Sequence, residues 1–280
     1  MPHACDGSAV LTMELRDKER RLRDIISGMR SVLIAFSAGA DSTLLLKAAS
    51  MVLPKDKILA VTAYSATYPK EELLLSRKIA RALDVRHKLI KTRELEDRNF
   101  TANTIKRCYF CKRELFRRLA DIAKKSKLDF VADASSVSDR GDFRPGSKAR
   151  KQSGVRSPLE EAGFNKGDIR SLSRKLGLVT WDKPAMACLA SRIPYGVKIT
   201  APLLERVNSA ENFLRKSGFL QVRLRHYNGL CRIEVPRKDI RRLIGRDKEI
   251  VEKLKKLGYN YITVDLQGYR TGSLNEVIKR

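Results

Sequence analysis

Two cysteines with two residues between them, Cys108 and Cys111, form the segment with the most direct chemical use. At i and i+3 of a helix both thiols reach one metal ion or cluster from a single turn, although such a pair also occurs buried or redox-inert. A second candidate is Ser37-Ala38-Gly39-Ala40-Asp41-Ser42, small residues lying between an apolar run and a helical pattern. A strand feeding such a turn and then a helix gathers backbone N–H groups and the positive helix end at one point, which suits phosphate. Within it Gly39 permits close backbone approach, the Ser37 and Ser42 hydroxyls can donate to phosphate oxygens, and Asp41 can hold a magnesium ion. Plain turn chemistry is the alternative for that run.

Elements must place these groups. Val32–Phe36, Ile58–Ala63, His87–Thr92 and Phe130–Ala134 read as strands, with helices over Leu15–Met29, Thr43–Ser50, Lys70–Leu83 and a segment beyond Thr101 reaching Ser126 that carries Cys108 and Cys111. This alternation predicts an α/β fold with a doubly wound, mostly parallel sheet. Residues 135–164, rich in Gly, Ser, Pro, Arg and Asp, read as a long ordered loop, and Ile169–Leu176 as a short helix stopped at Gly177. Pro184 and Pro194 bracket a loop containing Cys188. Beyond it, a helix over Pro202–Ser217, strands Leu220–His226 and Leu230–Val235, a helix Lys248–Leu257 and a strand Tyr261–Leu266 predict a smaller C-terminal α+β domain. The division expected is 12–197 and 198–280. Ser65, just past the second strand, sits where doubly wound folds bind ligands and is a candidate contact for adenosine.

The 280 residues are 42% hydrophobic and 32% charged, a globular composition that excludes a disordered or collagen-like chain. The most apolar run, Val32–Leu46, is interrupted by Asp41, so no spanning helix is expected, and the N-terminal residues do not read as a secretory signal. The expected location is the cytoplasm, where five cysteines, an odd number, argue against a disulfide framework. A net charge of +26 favours phosphate-bearing ligands, including nucleotides and RNA, or reflects a solvated basic surface. His87, His226, Trp181, Cys5 and Cys231 receive no functional role.

The 37–42 run resembles the Ser-Gly-Gly-x-Asp-Ser pyrophosphate loop (PP-loop) of the adenine nucleotide alpha hydrolase superfamily, with Ala38 in place of the first glycine. If that position takes a positive φ, a methyl group stands against the phosphates. RCYFCKRELF at 107–116, DFRPG at 142–146, GVRSPLEEA at 154–162, TWDKPAMACLASRIPYG at 180–196 and GYRTGSLNE at 268–276 resemble one branch of it, the LarE family of ATP-dependent sulfur transferases. The resemblance covers nearly the whole chain. Ala134, Ser135, Ser136 and Ser138 depart from the family's Gly-Thr-Asn-x-Asp-Asp stretch.

The resemblance implies a HUP-like fold and adenylation of a carboxylate of pyridinium-3,5-biscarboxylic acid mononucleotide. Pyrophosphate is released with ATP and magnesium, and sulfur transfer then gives a thiocarboxylate for the nickel-pincer cofactor. It places Cys188 towards the nucleotide as a third thiol beside Cys108 and Cys111. Three cysteines on a 4Fe-4S cluster leave one iron open for sulfide, and three thiolates with water or histidine also suit zinc. Family members lacking the pair give up the sulfur of the cysteine matching Cys188. Arg192, Arg223 and Arg225 are candidates for the substrate phosphate through forked hydrogen bonds. Positions 223 and 225 share one strand face, which is also how a solvent-facing basic strip would look. A sulfide donor and a homo-oligomer assembled through the C-terminal domain, as a hexamer, are further implications. The alternatives are a PP-loop tRNA thiolase and a non-catalytic nucleotide- or RNA-binding module.

Overall fold

Val32, Leu33 and Ile34 are all buried, as a strand covered on both faces requires. The computed structural model describes residues 13–65, 68, 70–139, 145–184 and 187–278. Cys5, residues 142–144 of DFRPG, and Ala185 and Met186 lie outside them. In chain order the elements are α1 (Met13–Met29), β1 (Val32–Ala35), α2 (Ala40–Val52), β2 (Ile58–Tyr64), α3 (Lys70–Ala82), β3 (Arg86–Lys91), α4 (Arg98–Thr101) and α5 (Arg107–Lys125). There follow β4 (Phe130–Ala132), α6 (Pro145–Gln152), α7 (Pro158–Glu161), α8 (Lys166–Lys175), α9 (Ala201–Lys216), β5 (Arg223–Tyr227), β6 (Leu230–Glu234), α10 (Ile240–Ile244), α11 (Asp247–Lys256) and β7 (Tyr261–Val264).

The chain divides into two units. One holds residues 1–64, 70–92 and 108–186; the other holds 65–69, 93–107 and 187–280. In the first, four parallel strands run in the order β3-β2-β1-β4, with Val32 opposite both Ile58 and Phe130. Alternate residues enter two separate cores. Val32, Ile34, Ile58 and Ala60 pack with Leu22, Ile26, Leu45, Ile169 and Leu172 from α1, α2 and α8. Leu33, Leu59 and Val61 pack with Phe116, Leu119 and Ala123 of α5 and Ala149 of α6. The sheet is therefore doubly wound, as expected. Beneath the end of β1, Thr62 Oγ1 donates to the Phe36 carbonyl at 2.7 Å and meets His87 Nε2 at 2.8 Å, a brace under the residue that leads into the small-residue turn.

The second unit carries a three-stranded mixed sheet, β5-β6-β7. Its β5–β6 hairpin turns through Asn228 and Gly229, both at positive φ, as a two-residue hairpin demands. β7 returns parallel to β6 after α10 and α11. The amphipathic α9 buries Leu204, Val207, Glu211 and Leu214, a spacing of one helix face.

Two expectations change. The stretch read as a loop over 135–164 contains α6 and α7; α6 buries Ala149 and Arg150 in place of an apolar stripe, so it lacks the hydrophobic period that would reveal it. The helix expected beyond Thr101 begins only at Arg107, because Asn103 adopts φ 53° and separates α4 from α5.

Candidate functional site

The turn Ser37–Ser42 leaves β1 and enters α2. Gly39 is the N-cap and offers no side chain, and the first bond of the helix ladder runs from Thr43 N–H to the Gly39 carbonyl at 3.0 Å. The N–H groups of Ala40, Asp41 and Ser42 thus precede the ladder at the positive end of a thirteen-residue helix, the arrangement that binds anions. Ser42 Oγ lies 3.2 Å from Ser37 Oγ and 3.3 Å from the Gly39 carbonyl, so both hydroxyls line the same turn.

The left-handed residue of this turn is Ala38, at φ 55°, whereas Gly39 is at φ −80°. The Ala38 methyl is fully buried within the α1–α2–α8 core. Replacing it with glycine relieves about 1–2 kcal/mol of left-handed strain. The same change loses about 0.8 kcal/mol of methyl burial and about 0.4–1 kcal/mol through the freer unfolded chain. Ala38→Gly is therefore expected to leave thermal stability within about 0.8 kcal/mol of the parent and pyrophosphate affinity within about twofold, read by melting and titration. A large gain in either would show that the methyl obstructs the turn.

Two lysines that spacing did not single out stand beside the turn. Lys183 Nζ donates to the Ala38 carbonyl at 2.9 Å and to Glu72 of α3 at 2.6 Å. Lys166, at the start of α8, donates to Asp41 at 2.6 Å and lies 3.5 Å from Asp139. Lys183 lies inside the TWDKPAMACLASR segment, which is the only signal that could have pointed to it. Asp41 already faces a cation, and among the described residues no three Cys, His, Asp or Glu side chains gather as ligands of one metal ion. Magnesium is commonly held by one or two carboxylates plus substrate phosphates, and Asp41 at the mouth of the turn fits that mode.

Cys108 and Cys111 lie in the first turn of α5, the former exposed and the latter partly so. Gly146 at the start of α6 packs on this turn: a Cβ there would come within 3.0 Å of Lys112 Cγ and 3.6 Å of the Cys108 carbonyl. Arg113 lies over both intervening rings, 5.6 Å from Tyr109 and 5.3 Å from Phe110.

In the second unit Cys188 is exposed and directly precedes a short 3-10 turn, Leu189–Arg192. Its backbone is held firmly. Arg192 Nη1 donates to the carbonyls of Ala187 (2.8 Å) and Cys188 (3.2 Å), while Nε and Nη2 form a two-pronged pair with Glu211, both at 2.8 Å. Arg225 Nη1 donates to the Ser191 carbonyl at 2.7 Å, and its Nε and Nη2 pair with Glu234, both at 2.9 Å. Arg223 lies over the Tyr269 ring, 5.4 Å from its centre. The expected trio is thus brought together with the Cys188 turn. All three guanidinium groups are buried, which sets aside the solvent-facing basic strip for Arg223 and Arg225.

Buried charge governs this cluster. Burial alone would push the Glu211 carboxyl up, but the Arg192 guanidinium and the Leu224 N–H hold it below the ordinary carboxylate range. Burial also works against the Arg192 charge, and Glu211 outweighs it, raising Arg192 above its usual value. Arg223 shows the opposite balance. Burial, reinforced by the neighbouring Arg192 charge, lowers it to about 10. Ser65 lies just past β2 and donates to the buried Glu94 at 2.5 Å.

No family model matches the chain. It is 36% identical over 266 residues, 95% of this chain and 96% of the relative, to the pyridinium-3,5-bisthiocarboxylic acid mononucleotide synthase of Lactiplantibacillus plantarum. It is 41% identical over 268 residues to an uncharacterised protein of Synechocystis, covering 95% of this chain and all of that one. An uncharacterised protein of Methanocaldococcus jannaschii is 27% identical over 242 residues, 86% of this chain and 92% of its own length.

Proposed function

Because the chain belongs to the LarE family of pyridinium-3,5-bisthiocarboxylic acid mononucleotide synthases, we propose that it adenylates a carboxylate of pyridinium-3,5-biscarboxylic acid mononucleotide with ATP and replaces the adenylate by sulfur. The observation that carries this reading is the Cys188 turn, whose backbone is pinned by Arg192 and Arg225 while its thiol stays exposed.

In the first step a carboxylate oxygen bonds to the α-phosphorus of ATP and the α–β phosphoanhydride bond breaks. Pyrophosphate leaves into the Ser37–Ser42 turn, where the amides of Ala40, Asp41 and Ser42 and the two serine hydroxyls accept its negative charge. Asp41 would hold the magnesium ion arriving on the triphosphate, and Lys183, beside Ala38, exchanges its carbonyl and Glu72 partners for phosphate oxygens. In the second step hydrosulfide bonds to the acyl carbon, AMP departs with the C–O electron pair, and the sulfur proton passes to solvent. The products are a thiocarboxylate and AMP.

Arg223, buried in this cluster with its guanidinium over the Tyr269 ring, is a substrate-phosphate ligand of this reading, matching a dianion by forked hydrogen bonds. Arg192 and Arg225 add positive potential and hold the turn. Ser65 is the adenosine contact of this reading, and residues 198–280 are its substrate-binding and assembly region. On the family resemblance, Cys108, Cys111 and Cys188 are the thiols that would hold a 4Fe-4S cluster, although among the described residues no three metal-ligating side chains gather. Such a cluster would supply iron able to carry sulfide.

The test uses the full chain, reconstituted anaerobically, with ATP, magnesium, sulfide and the dicarboxylate mononucleotide. Pyrophosphate release that depends on the mononucleotide is expected; its absence would remove adenylation. In the same assay Lys183→Met should lower kcat/KM for ATP by about 10–100-fold, the worth of a charge-assisted bond of about 1.5–3 kcal/mol. An unchanged kcat/KM would show that Lys183 serves Glu72 alone. The +26 charge favours a second reading, tRNA thiolation. Loss of one thiolated nucleoside from tRNA on deletion of the gene would establish that reading instead.

A further inference from the structure

The GYRTGSLNE segment, residues 268–276, packs against the arginines of β5, and both lie in the second unit. Gly268 sits at the end of β6. A Cβ there would come within 2.9 Å of the Val235 carbonyl and 3.1 Å of the Arg237 nitrogen, and φ is 74°, so the close approach requires glycine. That approach lets Tyr269 N–H donate to the Val235 carbonyl at 2.8 Å and sets the tyrosine ring against Arg223, whose guanidinium lies 5.4 Å from the ring centre. Further along, Ser273 Oγ accepts from Arg225 Nη2 at 2.7 Å and donates to Glu234 at 3.1 Å. Strand geometry explains why one segment meets both arginines. Arg223 and Arg225 share a face of β5, and Glu234 is the cross-strand partner of Arg223.

We propose that Tyr269 is a positioning residue for the substrate phosphate, its ring holding the Arg223 guanidinium where a dianion meets it. The inference rests on the substrate-phosphate reading of Arg223 above. Arg192 and Arg225 are fixed by other means: each of their guanidinium nitrogens donates to a protein carbonyl, carboxylate or hydroxyl. A ring face attracts a cation through its quadrupole, without entering the forked N–H pairs by which a guanidinium reads phosphate. A carboxylate in place of the ring would hold Arg223 as firmly but would compete with phosphate for both its charge and its donors. Tyr269 therefore steadies the arginine and leaves its affinity for a dianion intact.

The test uses the full chain and compares Tyr269→Leu, which removes the ring, Tyr269→Phe, which keeps it, and Arg223→Gln, which removes the guanidinium itself. The probe is inorganic phosphate followed by calorimetry, scored as the binding that Arg223→Gln abolishes. Tyr269→Phe should bind within about twofold of the parent and Tyr269→Leu about tenfold more weakly, as expected for loss of a desolvated cation–π contact. In the pyrophosphate assay, KM for the dicarboxylate mononucleotide should rise by the same factor in Tyr269→Leu, with kcat and KM for ATP unchanged. A merely structural role would lower the melting temperature and leave phosphate affinity alone. Tyr269→Leu binding phosphate like the parent would overturn the inference. So would Tyr269→Phe binding as weakly as Tyr269→Leu, because the hydroxyl rather than the ring would then matter. If Arg223→Gln itself binds phosphate like the parent, the substrate-phosphate reading of Arg223 falls and the inference with it, an outcome distinct from the other two. Should Tyr269→Leu not fold, Tyr269→Met, which also lacks a ring, decides the question by the same titration.

Discussion

Cys188→Ser is expected to stop thiocarboxylate formation while pyrophosphate release continues. On the proposed reading the two half-reactions draw on different parts of the chain: the small-residue turn belongs to β1 and α2, whereas Cys188 lies in a turn held by Arg192 and Arg225. Serine keeps the size of the side chain, and the Arg192 bond reaches the backbone carbonyl, so the turn should keep its shape. A neutral hydroxyl neither replaces a thiolate on iron nor carries transferable sulfur. Mass spectrometry of the mononucleotide product alongside a pyrophosphate assay checks both halves. Continued thiocarboxylate formation would show that sulfide reaches the acyl adenylate without Cys188. The mass of the parent chain after one turnover is a companion measurement. Conversion of Cys188 to dehydroalanine would mean that the side chain gives up its own sulfur, and an unchanged mass that it delivers external sulfide.

The largest effect on stability is expected from Glu211→Gln. Glu211 is fully buried and accepts from Arg192 Nε and Nη2, from Arg215 at 3.0 Å and from the Leu224 amide at 2.9 Å. Glutamine retains the outline but strands the Arg192 charge, and breaking a buried pair by removing one partner costs about 3–5 kcal/mol. For a chain of this size that lowers the melting temperature by on the order of 10 °C. The pH dependence carries a sign. Because the Glu211 carboxyl is held below its ordinary value in the folded protein, its contribution is complete above the ordinary carboxylate range and is lost as pH falls through the folded value. The gap between parent and variant should therefore be widest near neutrality and close in acid. A gap independent of pH would mean that packing, rather than charge, holds the Cys188 turn.

Much of the fold was legible because buried parallel strands are short apolar runs that alternate with helical periods. β1, β2 and β3, the helix carrying Cys108, and α9 all fall within a few residues of their expected places. What escaped was polar in origin. α6 hides because it buries Arg150, which reaches Ser157 and Glu160. α5 starts late because one asparagine is left-handed, a property that composition does not reveal. At the candidate site, the small-residue turn and the arginines could be named as candidates from residue type and spacing. Glu211, Glu234 and Lys183 could not, since each acts through a partner from 19 to 145 positions away, except for the hairpin pair Arg225–Glu234. Spacing along the chain carries no trace of such pairings.

The second unit is interleaved with the first, drawing on residues 93–107 as well as 187–280. During synthesis, Asn103 and Arg107 leave the ribosome long before Pro194 and Val197 exist to receive the asparagine's donors, and they must wait until about ninety further residues have been made. Truncation within the last third of the chain would thus do more than delete an appendage. It would leave Asn103 and Arg107 without the carbonyls that pair with the asparagine's donors, and recombinant fragments ending before Pro194 should aggregate or be degraded rather than persist as a free-standing first unit.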